Sequence, residues 1–346
     1  MAGPRDIDPD PWLQKFFQHL DTDRGVSPYT QRNYRHALLE FCHWHKVERK
    51  QPAWEKLLRD DFRAYVRFLG RNKLGRAAIQ LRFCALRTFC KFLVRSGVLA
   101  ATPIRNLALP KLARRLPKFL TRDQMEALLA APLKLLPESI AAESGSLSSR
   151  ERAGVRGKAA SETPSVSDSN SASHSLTAVL LCRRDVAILE TIYSCGLRIS
   201  ELCGLRVSDI DWSERLVRVR GKGKKERLVP VGATALSAIK QFWALFDQPP
   251  GADAPVFFVS DKKRTPVSAR EIQLRLKKYL AIAGLDPNLT PHKLRHSYAT
   301  HMLDAGADLR SVQELLGHQH LVTTQVYTHL TTERLKRAYD AAHPRA

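Results

Sequence analysis

The sequence has few of the features that mark membrane, metal-stabilised or secreted proteins. Its six cysteines contain no C-x-x-C pair, so we expect neither a zinc site nor a disulfide framework. No apolar run approaches the roughly 20 residues that a membrane-spanning helix needs. The first residues carry no apolar signal segment. We therefore expect a cytoplasmic protein.

Acidic residues are also scarce relative to basic ones. The chain has 34 Asp and Glu against 56 Lys and Arg, a formal net charge of +22. One interpretation is a basic protein whose lysines and arginines only face water. The other is a polyanionic partner, because clustered cations displace the counterions that surround DNA. The charge favours a nucleic-acid partner.

Apolar spacing predicts two domains joined by a linker. Residues 6–98 carry apolar side chains at helical spacing, which is typical of a helical bundle. Residues 99–118 contain three prolines among basic residues and predict an extended linker. Residues 119–342 combine amphipathic helices with a short β-hairpin. The predicted fold class is mainly α with a small β-sheet, in two domains.

A serine-rich segment interrupts the second domain. Twelve of the 37 residues in the range 139–175 are serine, and none is aromatic. Such a segment buries too little apolar surface to offset the entropy lost on ordering. We therefore predict a disordered insertion over 139–175.

Four residues with complementary chemistry lie in one C-terminal stretch, namely His292, Arg295, His318 and Tyr327. Arginine binds phosphate oxygens in a fork and stays protonated. Histidine exchanges a proton near neutral pH, and tyrosine can act as a covalent nucleophile. The set fits an enzyme that attacks a phosphodiester and forms a phosphotyrosine.

Three further candidates lie upstream. Arg198 follows Gly196 at the start of a short helix, and Glu201 lies three residues later. Glu201 could hold a neighbouring side chain by a charged hydrogen bond, or it could form an ordinary surface ion pair. Lys222 lies in the basic turn of the predicted β-hairpin, which is a weak signal alone.

These motifs together resemble the tyrosine recombinases, the lambda-integrase family. The resemblance is carried by the G-L-R-x-S-E-L box at Gly196, the H-x-x-R box at His292 and the L-G-H box at Leu316. It covers nearly the whole chain outside the serine-rich segment. The family's six positions are filled here by Arg198, Lys222, His292, Arg295, His318 and Tyr327.

The resemblance implies a role for each of these residues. Tyr327 would attack the scissile phosphate while the two arginines hold its non-bridging oxygens. Lys222 would protonate the departing 5′-oxygen, His292 would take the tyrosine proton, and His318 would hydrogen-bond the phosphate. Neither a metal nor any other cofactor would be needed. Residues 6–98 would form the core-binding domain on double-stranded DNA.

Other interpretations remain for several residues. His292 and His296 have metal-ligand spacing, but no carboxylate base lies nearby and cations lie between them, which disfavours zinc. The remaining histidines of this region are expected to be structural or to contact phosphate, namely His296, His301, His320 and His329.

The biological role has alternatives as well. The last eight residues are similar to the tail of family members that resolve chromosome dimers, which implies a heterotetramer with a related recombinase and a DNA translocase as activator. An integrase of a mobile element and a DNA-binding protein without catalysis are the alternatives. The tail argues against the first, and the complete set of six residues argues against the second.

Overall fold

The computed structural model divides the chain into two compact units, Met1–Leu116 and Pro117–Ala346. Within them the structure describes residues 10–22, 26–49, 54–111, 119–136, 166–221, 226–260, 264–317 and 329–346. The side chains of residues 49, 166–176 and 329–331 are not described.

The described part of the first unit is a bundle of amphipathic helices. Its α-helices are α1 (Pro11–Thr22), α2 (Pro28–Arg49), α3 (Arg59–Arg71) and α4 (Arg76–Arg95). Helices α1 and α3 both pack against α2, and α4 packs against α1 and α2. Aromatic side chains fill the centre: the ring of Phe41 lies 5.3 Å from that of Phe62 and 5.0 Å from that of Tyr65. The helical character predicted for this part is confirmed.

The chain after α4 continues to pack on the first unit. Leu99, Ile104 and Leu107 are buried in the same apolar cluster as the helices. Arg59 also donates a hydrogen bond of 2.7 Å to the carbonyl of Asn106. An extended linker was predicted here, but three apolar side chains gain more by joining the nearby core than by facing water.

The described part of the second unit combines helices with one small sheet. Its described α-helices are α5 (Arg122–Ala130), α6 (Val166–Cys195), α7 (Ile199–Cys203), α8 (Ala233–Trp243), α9 (Ala269–Ile282), α10 (Pro291–Asp304), α11 (Leu309–Leu316) and α12 (His329–Ala342). Short 3-10 turns lie at Trp54–Lys56 in the first unit and at Leu133–Leu135 and Val207–Asp209 in the second. The predicted fold class, mainly α with a small β-sheet, is confirmed.

The sheet is a three-stranded antiparallel meander in the order β1-β2-β3. Its strands are β1 (Ile210–Asp211), β2 (Leu216–Arg220) and β3 (Glu226–Pro230). Val217 pairs with Val229, and Val219 pairs with Arg227. Because alternate residues of a strand share a face, Arg227 lies on the same face as the buried valines.

Helix α6 organises the second unit and begins earlier than predicted. It packs against α5, α8 and α10, with Ile188 and Ile192 buried in the core. It starts at Val166, so the prediction of disorder over 139–175 is wrong for 166–175. Extending an existing helix by one residue is far easier than nucleating one, and the well-packed C-terminal half supplies the nucleus. Residues 139–165 lie outside the described residues.

The described part of the chain has no helix that is both long enough and apolar enough to cross a lipid bilayer.

Candidate active site

Arg198 is positioned by the tight turn between α6 and α7. Helix α6 ends at Cys195, Gly196 takes a left-handed conformation with φ +57°, and Arg198 is the N-cap residue of α7. A Cβ atom at Gly196 would lie 2.7 Å from Cδ1 of Tyr298 on α10. Only glycine satisfies both the backbone conformation and this close approach. The turn that carries Arg198 therefore packs against α10 at Gly196.

Arg295 lies on the face of α10 that meets this turn. Its Nη1 donates a 2.7 Å hydrogen bond to the carbonyl of Gly196, and its Nη2 donates to the carbonyl of Leu316 at the end of α11. Only 4% of its side chain is exposed. Arg295 thus joins the α6–α7 turn to the C-terminus of α11.

Glu201 is a carboxylate that contacts three arginines of the site. Its Oε1 accepts hydrogen bonds from Nη1 of Arg198 at 2.7 Å and from Nη1 of Arg227 at 2.9 Å. Its Oε2 accepts from Nη2 of Arg227 at 2.8 Å and lies 3.8 Å from Nη1 of Arg295. With 3% of its side chain exposed, Glu201 is a buried anchor, and the alternative of an ordinary surface ion pair is wrong.

The pKa of Glu201 reflects this surrounding charge. Burial alone would raise the pKa, but the hydrogen bonds and charge of Arg227, followed by the hydrogen bonds from Arg198, lower it from 4.5 to about 2. The carboxylate is therefore ionised throughout the physiological range.

Glu201→Gln is expected to remove stability that the wild type holds above about pH 4.5 and loses as the pH falls towards about 2. The folded-state pKa lies below the unfolded one, so ionised Glu201 stabilises the folded state by about 3 kcal/mol near neutral pH. Urea unfolding of both proteins at about pH 7 and about pH 3 measures this. The stability difference should shrink at the lower pH, and a constant difference would contradict the expectation.

The arginine cluster carries more positive than negative charge. Burial, then repulsion from Arg198 and Arg227, lowers the pKa of Arg295 to about 10, so that it stays protonated near neutral pH. Three guanidinium groups thus surround one carboxylate. Arg198 is the solvent-facing member, with 43% of its side chain exposed. An anion that approaches Arg198 would find donors that are already oriented.

His292 lies at the first turn of α10, one turn before Arg295. Partial burial of the ring, followed by the charges of Arg295 and Lys293, lowers the pKa of His292. The imidazole is therefore neutral near pH 7 and able to accept a proton. The helix begins at Pro291, with Thr290 as its N-cap residue.

Three of the predicted site residues, Lys222, His318 and Tyr327, lie outside the described residues. Lys222 lies between the two strands of the hairpin, since β2 ends at Arg220 and β3 begins at Glu226. The structure therefore brings together Arg198, Glu201 and Arg295 and places His292 on the same helix as Arg295, while Lys222, His318 and Tyr327 stay predictions.

Arg227 is the residue that the sequence reasoning missed. It binds both oxygens of Glu201 and donates a 3.0 Å hydrogen bond from Nε to the carbonyl of Leu315. A signal was present, because a charged residue stands at an inward-facing position of β3, two residues before buried Val229. A buried charge requires a partner, but the strand pattern cannot name it.

The neighbouring histidines separate into different environments. His301 is buried, and its Nδ1 and Nε2 lie 2.8 Å from the Tyr193 hydroxyl and 2.8 Å from the Leu120 carbonyl, so it is structural. His296 packs edge-on against Phe119. The described residues contain no group of three or more His, Cys, Asp or Glu side chains that could hold a metal ion.

Comparison with known proteins identifies the family. Residues 172–334 match the phage integrase family, and residues 13–97 match the phage integrase N-terminal SAM-like domain. The chain is 39% identical over 340 residues to tyrosine recombinase XerC of Shewanella amazonensis, covering 97% of this chain and 96% of that protein. It is 37% identical to the XerC of Xylella fastidiosa over 334 residues, which is 96% of this chain and 97% of that one.

Solved structures share the fold. The integrase of transposon Tn1549, in complex with circular-intermediate DNA, matches with a TM-score of 0.62 and 16% identity over 93% of this chain and 98% of that chain. The XerH recombinase bound to palindromic difH substrate matches with a TM-score of 0.61 and 20% identity over 94% of this chain and 82% of that chain. At 39% identity to a curated relative along nearly its full length, the chain belongs to the tyrosine recombinases, the site-specific DNA recombinases of the phage integrase family.

Proposed function

We propose that this protein cuts and rejoins DNA at specific sites through a 3′-phosphotyrosyl intermediate on Tyr327. The observation that carries the proposal is the arrangement of Arg198 and Arg295 around one buried carboxylate, with Arg198 facing solvent. Two oriented guanidinium groups are what a phosphodiester needs as negative charge builds on its non-bridging oxygens. The family resemblance then supplies the nucleophile.

The cleavage step balances without an external reagent. The Tyr327 oxygen bonds to phosphorus, and the bond between phosphorus and the 5′-oxygen breaks. His292, which its lowered pKa keeps neutral near pH 7, takes the phenol proton. Lys222 gives a proton to the departing 5′-oxygen, and His318 hydrogen-bonds the phosphate. The products are a phosphotyrosyl ester and a free 5′-hydroxyl.

Rejoining is the same reaction in reverse. A 5′-hydroxyl from another strand attacks the phosphotyrosyl ester and releases Tyr327. The ester retains the energy of the original phosphodiester, so the proposed cycle uses no nucleotide cofactor. The positive charge of Arg198 and Arg295 takes the place that a metal ion would have in other phosphoryl transfers.

Double-stranded DNA is the proposed partner of both domains. We assign residues 6–98 as the core-binding domain, residues 99–118 as the linker, of which Leu99, Ile104 and Leu107 pack on the core of the first unit, and residues 119–342 as the catalytic domain. The structural relatives XerH and lambda integrase were solved on DNA sites, which supports this. The net charge of +22 supports it independently, because cations that contact phosphates release bound counterions.

The biological role that we favour is that of XerC. The relatives with this name cover almost the whole chain. The protein would then act with a XerD-like recombinase in a heterotetramer and resolve chromosome dimers at cell division, with an FtsK-like translocase as activator. The alternative is an integrase of a mobile element, which would use the same chemistry on another DNA site.

Covalent trapping on nicked suicide DNA tests the proposal and separates these roles. We expect a covalent protein–DNA band on a chromosome-dimer resolution site, and a stronger one when a XerD-like partner is added. A band that forms only on the recombination site of a mobile element would favour the alternative role. Binding to DNA without a band on any site would overturn the catalytic proposal in favour of a non-catalytic DNA-binding protein.

A further inference from the structure

Arg227 connects three elements of the proposed site, namely β3, α7 and α11. It is the second residue of β3, the strand that returns from the hairpin turn containing Lys222. Only 7% of its side chain is exposed. From the sheet, the side chain reaches both Glu201 on α7 and the last turn of α11, after which His318 follows.

All three guanidinium nitrogens of Arg227 make hydrogen bonds. The two terminal nitrogens bind the two oxygens of Glu201 at 2.9 and 2.8 Å. Nε donates to the carbonyl of Leu315 at 3.0 Å. Because the guanidinium group is planar and is bound through Nε as well as through both terminal nitrogens, it has one orientation. Arg227 therefore holds Glu201 and the Leu315 carbonyl in a defined geometry.

The turn at Gly317, directly before His318, packs against the side chain of Arg227. Gly317 has a φ of +66°, and a Cβ atom there would lie 3.1 Å from Cδ and 3.3 Å from Nε of Arg227. The glycine thus provides the left-handed conformation that ends α11, and it also lets the backbone lie directly over Arg227.

We propose that Arg227 is a positioning residue for strand cleavage, which holds Glu201 and the turn before His318 in place and so leaves Arg198 and Arg295 available to the scissile phosphate. The inference rests on the proposed function. Glu201 and the Leu315 carbonyl occupy all three guanidinium nitrogens of Arg227, so it acts through these neighbours.

Charge balance explains why this position matters. Glu201 offers two oxygens, and Arg227 binds both of them. Without Arg227, the buried carboxylate would be balanced only by Arg198, whose Nη1 already binds it, and by Arg295, and more of their donors would turn towards it. Donors that are bound to a buried carboxylate cannot at the same time stabilise a phosphate in the transition state.

Single-turnover cleavage of nicked suicide DNA at saturating DNA concentration tests this role. We expect Arg227→Met to slow cleavage by about 10- to 100-fold, by analogy with the loss of residues that orient metal ligands. DNA affinity should stay within about twofold of the wild type. Arg227→Lys should recover part of the rate, because an ammonium restores the charge but not the fork.

A second buried arginine provides the matched control. Arg184 has no exposed side-chain surface and pairs with Asp185 at 3.1 Å and Glu271 at 2.7 Å, and its described contacts include no site residue. Arg184→Met also removes a buried cation from its partners, so it should lower stability. It should leave the cleavage rate unchanged at a temperature where the protein is folded.

A double-mutant cycle identifies the route of the effect. If Arg227 acts through Glu201, then Arg227→Met combined with Glu201→Gln should cleave no more slowly than the slower single variant. Independent contributions would instead multiply. Should Arg227→Met fail to fold, Arg227→Lys enters the same cycle.

The possible results separate this inference from the proposed function. A wild-type band with unchanged cleavage by the Arg227 variants would overturn the inference alone. Equal slowing by Arg184→Met and Arg227→Met, or multiplied effects in the cycle, would also overturn it, because both indicate a merely structural contribution. A wild type that forms no covalent band on any site overturns the proposed function and this inference with it.

Discussion

Tyr327→Phe is expected to abolish the covalent protein–DNA band on suicide DNA and to leave DNA binding within about twofold of the wild type. The substitution removes only the phenolic oxygen, which is the atom proposed to bond to phosphorus. No other hydroxyl group can replace it without being aligned with the scissile bond. A denaturing gel measures the band, and a mobility-shift assay measures binding.

The same substitution at an exposed tyrosine is the control. Tyr29 is 65% exposed on the first unit, and Tyr29→Phe should form the covalent band at the wild-type rate. End labelling of the released strand should reveal a free 5′-hydroxyl. A band that persists in Tyr327→Phe would assign the nucleophile to another residue, and a free 3′-hydroxyl would reverse the proposed polarity.

The second large effect is expected for Arg295→Lys, which should slow cleavage by about 10²- to 10³-fold, or about 3 to 4 kcal/mol of activation free energy. The positive charge remains, but a lysine has no planar fork. It cannot donate to the carbonyls of Gly196 and Leu316 and also face a phosphate. Single-turnover rates at saturating DNA measure the loss, which should be in the rate rather than in DNA affinity.

Arg310→Lys is the matched control for this change. Arg310 lies on the neighbouring helix α11, with 69% of its side chain exposed and a 3.1 Å contact to Glu314. The same replacement there should change cleavage by no more than about twofold. Arg295→Lys cleavage that is equally close to the wild type would contradict the proposed role of its guanidinium fork.

Local rules explain which parts of the site could be predicted. The left-handed turn at Gly196, the helix start at Pro291 and the helix end at Gly317 each depend on conformational preferences of one or two residues. All three appear in the structure. Arg198 and Arg295 are placed by such signals, so their positions on their helices could be predicted before their contacts were known.

Non-local contacts explain what could not be predicted. Arg227 and Glu201 are 26 positions apart, and the alternating pattern of β3 indicates only that Arg227 faces inward. The start of α6 at Val166 could not be read from a serine-rich segment, because the packed half of the helix supplies the nucleus. Leu99, Ile104 and Leu107 join the first core because a free apolar face lies within reach.

The fold class, the family and the identity of the candidate reactive groups follow from the amino-acid sequence, since these depend on composition and on short motifs. The contact of Arg198, Arg227 and Arg295 with a single buried carboxylate depends instead on tertiary packing. The physical reason is that a buried charge must be balanced by a partner. Which partner comes within reach depends on how the helices and the sheet pack, and no local pattern in the chain encodes that.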